Sequence, residues 1–276
     1  MTTSRRPLPR RLPLGALVLA LAVSACGDKS RAALPYPNSI AAIGDSWTAP
    51  LCIQSGCAAL PADSWATGSN PAVNSLYQRI LAHNPAIRGR NFNLSIEHAS
   101  AGPAMDDLAF QAARAIAKHV DYVVIALGEN DACRGTPVGV FSREFAAGLA
   151  RLTRALPRAH IFVLSIENVA SQWRTLDADH AGRRAFNAGY SLDCGLGATA
   201  TPAALAAVAS HIAVLNGKLD TICRTSARCR YDRGAVYRMH FKASYFSKYD
   251  LQHLSVAGQH ALSSVAWTAG YRFEAP

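Results

Sequence analysis

The sequence predicts an α/β protein in which helices cover both faces of a central parallel sheet. Short apolar runs bounded by turn residues, without polar alternation, are typical of parallel strands that are buried on both faces. Segments with helical periodicity separate these runs, and such strand–helix alternation favours a doubly wound sandwich. Of the 276 residues, 50% are hydrophobic and 17% are charged. This balance suits one sizeable globular domain and excludes a disordered chain.

Each predicted element occupies a definite stretch of the chain. The buried strands are predicted at residues 39–43, 91–98, 122–127 and 160–166, and the helices at residues 73–82, 105–118, 141–156, 202–222 and 256–267. Thr201 and Ser255 can cap the last two helices with their hydroxyl groups, and Pro202 suits a first helical turn. Residues 171–199 show little periodicity, so we expect a long surface loop there that borders the functional site.

The N-terminal residues are predicted to be an export signal. A basic stretch from Arg5 to Arg11 precedes an apolar run at residues 12–23. At about 12 residues, this run is shorter than the ~20 residues needed to cross a bilayer. It ends in the sequence VSAC, which resembles a bacterial lipobox and predicts a lipid on Cys26; an ordinary signal peptide is the alternative. We therefore expect a signal peptide at residues 1–25, a tether at 26–38 and one folded domain at 39–276.

The charge of the chain raises the question of a nucleic-acid partner. The net charge is +10 and the sequence pI is about 9.5, which is typical of nucleic-acid-binding domains. Four of the positive charges lie close to the N-terminus, at Arg5, Arg6, Arg10 and Arg11. The rest of the excess is spread along the chain with few local clusters, so a solvated basic face is the better interpretation and nucleic acid is not expected as a partner.

The cysteines also indicate export. Six remain when Cys26 is set aside: Cys52, Cys57, Cys133, Cys194, Cys223 and Cys229. An even number in an exported chain predicts disulfides, and six cysteines permit 15 pairings. Closeness in sequence favours pairing the first two and the last two, which leaves Cys133 with Cys194. A zinc site is the rival interpretation, but no C-x-x-C or H-E-x-x-H motif is present, so no metal is expected.

Residues able to do chemistry follow three of the predicted strands. Ser46 follows the first strand in the sequence GDS, Gly102 follows the second, and Asn130 follows the third in the sequence GEND. Ligands of open α/β sheets bind beyond the carboxyl ends of the strands. A serine there can act as a nucleophile if it has a base, and backbone N–H groups with a neutral amide can stabilise an oxyanion. Each motif alone is equally well explained by a turn or a helix cap.

A candidate base lies near the C-terminus, in the sequence YDLQHLS. Asp250 and His253 are three residues apart there, so one local turn can bring them into contact. A histidine that accepts a proton from serine needs its other ring nitrogen oriented by a carboxylate. An Asp-x-x-His pair by itself is also compatible with an ordinary surface loop, since the chain has 9 histidines.

Taken together, the order Ser, Gly, Asn and Asp-x-x-His resembles the four sequence blocks of the SGNH (GDSL-type) hydrolase family. The resemblance runs from about residue 39 to residue 267. Cys133 and the sequence HLSVAGQ, which begins at His253, are similar to the phospholipase B-like branch of that family. The resemblance implies a flavodoxin-like α/β/α sandwich with a central parallel sheet, and it implies no cofactor.

The resemblance also implies a role for each site residue. Ser46 is the expected nucleophile, His253 the base and Asp250 its orienting partner. The expected oxyanion donors are the backbone N–H groups of Ser46 and Gly102 and the side-chain amide of Asn130. The resemblance implies a serine esterase or lipase that acts on acyl or acetyl esters of small molecules or lipids. Together with the N-terminal signal, it predicts an exported protein that is either lipid-anchored to a membrane of the cell envelope or secreted. An acyltransferase, a polysaccharide O-acetylesterase and a non-catalytic surface lipoprotein remain as alternatives.

Two residues depart from the family pattern. Trp47 replaces the leucine that commonly follows the serine, and we expect it to pack beside the site. Glu129 adds a carboxylate next to the proposed oxyanion donor, where a negative charge would oppose catalysis. Strand alternation around the helix start predicts that this side chain turns outward.

Overall fold

A five-stranded parallel sheet forms the centre of the fold. The computed structural model describes Met1 and residues 33–102 and 107–274. Numbered in chain order, the strands of the sheet are β1 (Ile40–Gly44), β2 (Asn91–Asn93), β3 (Tyr122–Ala126), β4 (His160–Val163) and β5 (Cys229–Tyr231). Their order in the sheet is β2-β1-β3-β4-β5, and every neighbouring pair is parallel. This is the flavodoxin-like order, so the predicted fold class is confirmed.

Helices cover the sheet on both sides. The described residues form eight α-helices: α1 (Leu76–Leu81), α2 (Leu108–Ala117), α3 (Glu129–Arg134), α4 (Val138–Ala155), α5 (Val169–Ala178), α6 (His180–Asn187), α7 (Pro202–Cys223) and α8 (Val256–Ala269). Helices α2, α4 and α7 pack in a row, and α1 packs against α8. All five residues of β1 are buried, which requires cover on both faces of the sheet and explains why the strand sequences are apolar without alternation.

Local signals in the sequence set the helix starts. Ser75 and Gln78 form a reciprocal capping box at the start of α1, which satisfies two backbone N–H groups that a helix leaves unpaired. Thr201 accepts a hydrogen bond from the N–H of Ala204 at the start of α7, and Ser255 does the same for Gly258 at the start of α8. The two caps proposed for these helices are therefore confirmed.

Helix α7 differs from the other helices in its length and apolar composition. Among the described residues it is the one helix long and apolar enough to cross a membrane by length and hydropathy. Its Asn216 side chain, however, accepts from the N–H of Ile166 at 2.8 Å and donates to the carbonyl of the same residue at 3.0 Å. Ile212, Leu215 and Leu219 are fully buried in the core. These contacts show that one face of α7 packs into the core of the sandwich.

Three disulfides cross-link the fold. Cys52 is bonded to Cys57, Cys133 to Cys194 and Cys223 to Cys229, so the predicted pairing is confirmed. The first closes a short loop after β1, the third joins the end of α7 to β5, and the second connects α3 to a segment 61 residues further along the chain. Disulfides of this kind persist in oxidising compartments and indicate an exported protein.

The prediction of a long surface loop at residues 171–199 is wrong. The region contains most of α5, all of α6 and a small antiparallel pair, Ser191–Leu192 with Leu196–Gly197. The Asn168 side chain caps α5 and the Asp179 side chain caps α6. Both helices are short and bury few apolar side chains, so the apolar periodicity that indicates longer helices is weak here.

Two strands also differ from prediction. Strand β2 ends at Asn93, five residues earlier than predicted, and β5 was not predicted at all. Both lie at the edges of the sheet. Edge strands are short and tolerate polar and charged side chains, as in the sequence CRY of β5, so they lack the apolar run that marks a buried strand.

The expected signal peptide and the lipid-bearing Cys26 lie outside the described residues. Of the predicted tether, residues 33–38 are described. Leu34–Pro35 pairs in parallel with Phe273–Glu274 near the C-terminus, and the carbonyls of Tyr36 and Pro37 accept hydrogen bonds from the Asn84 side chain.

Candidate active site

The chain turns sharply where β1 ends. A Cβ atom on Gly44 would lie 2.4 Å from Oγ1 of Thr48 and 2.8 Å from the carbonyl oxygen of Ala126 on β3. A side chain at position 44 would clash with these two atoms, so glycine is required there. The turn places Ser46 two residues beyond the carboxyl end of the strand, and 8% of its surface is exposed.

Asp45 holds the turn that contains Ser46. Its carboxylate Oδ1 accepts a hydrogen bond from the N–H of Trp47 at 3.1 Å, and its backbone carbonyl accepts from Thr48 and Ala49 at 3.1 and 2.9 Å. Trp47 is buried directly after Ser46 and packs edge to face on Phe241, with ring centroids 6.1 Å apart.

Asp250 and His253 are in direct contact. Oδ2 of Asp250 lies 2.5 Å from Nδ1 of His253. Oδ1 of the same carboxylate accepts the backbone N–H groups of Gln252 and His253, each at 3.1 Å. Leu251 adopts a left-handed backbone conformation, with φ of 56°, and this tightens the turn. Three hydrogen bonds thus hold the carboxylate against the imidazole.

The loop that carries His253 is bonded to the segment that follows Ser46. The hydroxyl of Ser247 donates to the carbonyl of Cys52 at 2.5 Å, and the Gln259 side chain donates to the carbonyl of Trp47 at 3.0 Å. In the described part of the chain, no hydrogen bond joins the Ser46 hydroxyl to His253. The structure therefore brings the Asp–His pair together directly and links it to the serine turn through neighbouring residues.

Asn130 lies on the first turn of α3, beyond the carboxyl end of β3. Its side-chain nitrogen donates to the carbonyl of Ala99 at 3.0 Å, and one amide N–H is not used by this bond. The next residue, Asp131, accepts the N–H of Ala101 at 2.8 Å. These two bonds hold residues 99–101, directly before Gly102, against α3.

The register of the sheet brings the serine and asparagine segments to one edge. Gly44 on β1 pairs with Ala126 on β3 in the parallel ladder. Ser46 and Gly128 therefore leave the sheet at the same level, each two residues beyond the paired position. Gly128 has φ of 131°, and a Cβ atom on it would lie 2.5 Å from Cδ1 of Ile166, so only glycine fits there.

The prediction that Glu129 turns outward is wrong, because the side chain is only 4% exposed. The left-handed backbone of Gly128 ends the strand alternation on which that prediction relied. Burial raises the pKa of the Glu129 carboxyl well above its usual range, and the nearby carboxyls of Glu167, Asp193 and Asp45 raise it further. Interaction with the Glu167 side chain raises the pKa of Glu129 as well.

Asp45 and Glu167 complete a cluster of buried carboxyls with Glu129. Burial is the main cause of the raised pKa of Asp45, and Glu167 and Asp193 add to it. Burial also raises the pKa of Glu167. The three side chains lie beyond the carboxyl ends of β1, β3 and β4, so the cluster follows the same edge of the sheet as Ser46 and Asn130.

Sequence reasoning missed Glu167 and Asp193. Glu167 follows the fourth predicted strand, so the strand-end rule that selected Ser46 could also have selected it. Asp193 accepts a hydrogen bond from the Gln252 side chain at 2.6 Å, next to His253. Asp193 directly precedes Cys194, and the expected disulfide from Cys194 to Cys133 on α3 could have indicated that Asp193 lies near the site.

One group of side chains among the described residues could hold a metal ion. Sγ of Cys52, a carboxylate oxygen of Asp250 and a ring nitrogen of His253 lie within 4.8 Å of one another. Cys52 is bonded to Cys57, so its sulfur is not available as a thiolate ligand in this state.

Comparisons with known proteins agree with the fold and show the family to which the chain belongs. The model of the GDSL-like lipase/acylhydrolase family matches residues 42–260, which is most of the chain. The crystal structure of TesA is similar, with a TM-score of 0.50 and 16% identity over 84% of this chain and 97% of that chain. The lipase Lip_vut3 from a goat rumen metagenome has a TM-score of 0.51 and 12% identity over 84% and 97%. Likeness at these identities concerns the fold alone. No curated protein sequence matches the chain.

Proposed function

The chain belongs to the GDSL-like lipase/acylhydrolase family and is a carboxylic-ester hydrolase, and from this premise we propose that it works through an acyl-enzyme on Ser46. The observation that carries the proposal is the Asp250–His253 bond, in a loop that Ser247 ties to the segment after Ser46, next to α8, whose Gln259 bonds to the serine turn. A carboxylate bonded to Nδ1 leaves Nε2 as the proton acceptor of the imidazole.

In the proposed reaction, His253 Nε2 takes the proton of the Ser46 hydroxyl while Oγ attacks the ester carbonyl carbon. Asp250 stabilises the resulting imidazolium, which then donates its proton to the departing alcohol. Water, activated by the same imidazole, releases the acid and restores the serine. The first step needs the Ser46 and His253 atoms to come within about 2.6–3.2 Å of each other, a contact that tightens on substrate binding.

The developing negative charge on the carbonyl oxygen needs preorganised donors. We assign the backbone N–H groups of Ser46 and Gly102 and the second amide N–H of Asn130 to this task. The hydrogen bonds of Asn130 and Asp131 to residues 99–101 support this assignment, since they fix the two segments relative to each other. A donor of this kind contributes roughly 10²–10³ in turnover.

A fluorophosphonate probe tests the nucleophile. We expect the wild-type protein to be labelled and Ser46→Ala to remain unlabelled. Ser264→Ala is a matched control, because Ser264 lies on α8 and accepts a hydrogen bond from Arg79; it should be labelled like the wild type. Equal labelling of Ser46→Ala and wild type would remove Ser46 from the mechanism and would indicate another nucleophile, whereas no labelling of wild type would favour a non-catalytic lipoprotein.

The substrate proposal is an acyl or acetyl ester of a small molecule, a lipid or a sugar. A panel of p-nitrophenyl esters from acetate to palmitate, run beside O-acetylated glycans, separates these classes. Preference for long chains supports a lipid esterase, and release of acetate from glycans alone supports a polysaccharide O-acetylesterase. Transfer of the acyl group to an added alcohol, faster than hydrolysis, identifies an acyltransferase.

We also propose that the protein is exported through a signal peptide at residues 1–25 and is anchored to a membrane by a lipid on Cys26. The three disulfides support export, and the lipobox-like sequence supports the anchor. Detergent partitioning of the expressed protein tests the second point. The wild type should enter the detergent phase and Cys26→Ser the aqueous phase, whereas identical partitioning would contradict the anchor.

A further inference from the structure

A disulfide sulfur lies beside the pair of residues assigned to proton transfer. Sγ of Cys52 is within 4.8 Å of both the Asp250 carboxylate and a His253 ring nitrogen. We propose that reduction of the Cys52–Cys57 disulfide creates a site for a thiophilic divalent cation, for which Zn²⁺ is the best fit, with Cys52, Asp250 and His253 as ligands. The bound ion stops ester hydrolysis. The site is inhibitory, so the expectation of no metal cofactor is unchanged.

The three ligand types are those that zinc prefers. Zinc binds thiolate sulfur at about 2.3 Å, imidazole nitrogen at about 2.0–2.1 Å and carboxylate oxygen at about 2.0–2.2 Å, usually in tetrahedral geometry. Ligand atoms at these distances are about 3.5 Å apart, so atoms now within 4.8 Å of one another need to approach by about 1 Å. Three protein ligands leave the fourth position for water, and a thiolate favours zinc over magnesium or calcium.

Cys52 is held in place independently of its disulfide. Its carbonyl accepts the Ser247 hydroxyl at 2.5 Å, and the N–H of Ser247 donates to the carbonyl of His253 at 2.7 Å. The Cys52 residue is 5% exposed, whereas Cys57 lies on the surface. Breaking the bond between them therefore frees the exposed residues 54–57, while the backbone of Cys52 keeps its hydrogen bond to Ser247 near the other two ligands.

The chemistry balances with a dithiol as the reductant. Two successive thiol–disulfide exchanges break the bond between Cys52 and Cys57, the dithiol closes to a disulfide, and both cysteines become thiols. Zinc then displaces the thiol proton of Cys52 into solvent and binds the thiolate. The metal also blocks the proposed proton transfer at either ring nitrogen of His253. Binding at Nε2 occupies the proton acceptor, and binding at Nδ1 replaces the hydrogen bond to Asp250.

The variant Cys57→Ser tests the proposal without any reductant, since it leaves Cys52 as a permanent thiol and keeps the other two disulfides. The matched control is the double variant Cys52→Ser/Cys57→Ser, which has the same open loop but no thiol at the site. Full-length wild type, Cys57→Ser and the double variant are titrated with ZnCl₂ during hydrolysis of p-nitrophenyl acetate. We expect the inhibitory zinc concentration of Cys57→Ser to be at least about 100-fold below that of the other two proteins. EDTA should restore its activity.

Metal binding is measured separately with Co²⁺, whose thiolate complexes absorb in the near ultraviolet. The absorption should appear in Cys57→Ser and be absent from the double variant. This measurement does not depend on hydrolysis, so failure of the proposed acyl-enzyme mechanism and failure of the metal site give different results. Equal zinc sensitivity of the single and double variants, or no thiolate absorption in Cys57→Ser, would overturn the proposal.

Thermal unfolding of each variant checks that the comparison is between folded proteins. If Cys57→Ser does not fold, the same titrations are made on wild type treated with a phosphine reductant and then freed of it, with peptide mapping to confirm that the Cys52–Cys57 bond is open. Increased zinc sensitivity of this protein supports the proposal, and unchanged sensitivity contradicts it.

Discussion

The Asp250 carboxylate and the His253 imidazole are held together by a single four-residue turn. One carboxylate oxygen contacts Nδ1 at 2.5 Å, and the other accepts two backbone N–H groups at 3.1 Å. Leu251 turns the chain between them in a left-handed conformation. The pair is therefore preorganised by the local backbone of this turn.

Replacing Asp250 by Asn should preserve this turn and impair the base. The Asn side-chain oxygen can still accept the two backbone N–H groups, but the amide cannot stabilise an imidazolium as a carboxylate does. In a serine–histidine–aspartate triad this change costs roughly 10⁴ in turnover, and we expect a loss of that order in p-nitrophenyl acetate hydrolysis. Asp177→Asn is the control, because Asp177 pairs with Arg183 on another surface. Activity of Asp250→Asn within a few-fold of wild type would exclude the triad.

The oxyanion assignment predicts different turnover for two substitutions at the proposed donors. Asn130→Ala removes a side-chain donor and should lower turnover by roughly 10²–10³. Gly102→Ala keeps the backbone N–H, and among the described residues its Cβ would meet nothing closer than 3.7 Å, at Oδ1 of Asp131. We therefore expect Gly102→Ala to retain most of its activity. The value of kcat for each variant is measured at saturating ester, and near-normal turnover of Asn130→Ala would remove it from the site.

The parts of the site that could be predicted are those set by local sequence or by the ends of strands. Asp250 and His253 could be paired because they share one turn, and Ser46 and Asn130 could be grouped because parallel strands end at the same edge. The burial of Glu129 could not be predicted, since it follows from the unusual φ of Gly128 and from contact with Glu167, 38 residues further along the chain. No local pattern reports such a contact.

In the fold, too, the features set by local sequence could be predicted, and those set by tertiary contacts could not. Buried strands such as β1 have a continuous apolar run, whereas β5 is an edge strand with the sequence CRY and has none. Helices α5 and α6 depend on the caps of Asn168 and Asp179 and on a few buried side chains. Their stability comes from tertiary contacts more than from periodicity, and this explains why a loop was expected there.

The Cys133–Cys194 disulfide should contribute more stability than the other two. It joins residues 61 apart, whereas Cys223 and Cys229 are 6 apart. In the chain-entropy description the long closure is worth about 4 kcal/mol and the short one about 2 kcal/mol. Urea unfolding of Cys133→Ala/Cys194→Ala and of Cys223→Ala/Cys229→Ala measures the difference. A larger loss in the second variant would show that strain or local packing, and not loop closure, controls these bonds.

Glu129→Gln should stabilise the protein, and the gain should grow with pH. Burial raises the pKa of Glu129 in the folded state, while in the unfolded chain it is about 4.3. Below that value both states are protonated and the raised pKa has no cost. As pH rises above about 4.3, the unfolded chain ionises while folded Glu129 keeps its proton, so wild type loses stability until the folded pKa is passed. Each unit by which the folded-state pKa exceeds the unfolded-state pKa lowers the free energy of unfolding by up to about 1.4 kcal/mol.

A Gln at position 129 has no such loss, because it does not ionise and its amide can donate to Glu167. The free energy of unfolding of Glu129→Gln, minus that of wild type, should therefore increase between pH 4 and pH 8 in urea titrations. Glu97→Gln is the matched control: this side chain is exposed, and its difference from wild type should change little with pH. A constant difference for Glu129→Gln would mean that Glu129 is already ionised in the folded protein, and the carboxyl cluster would then need a cation or an unrecognised donor to compensate its charge.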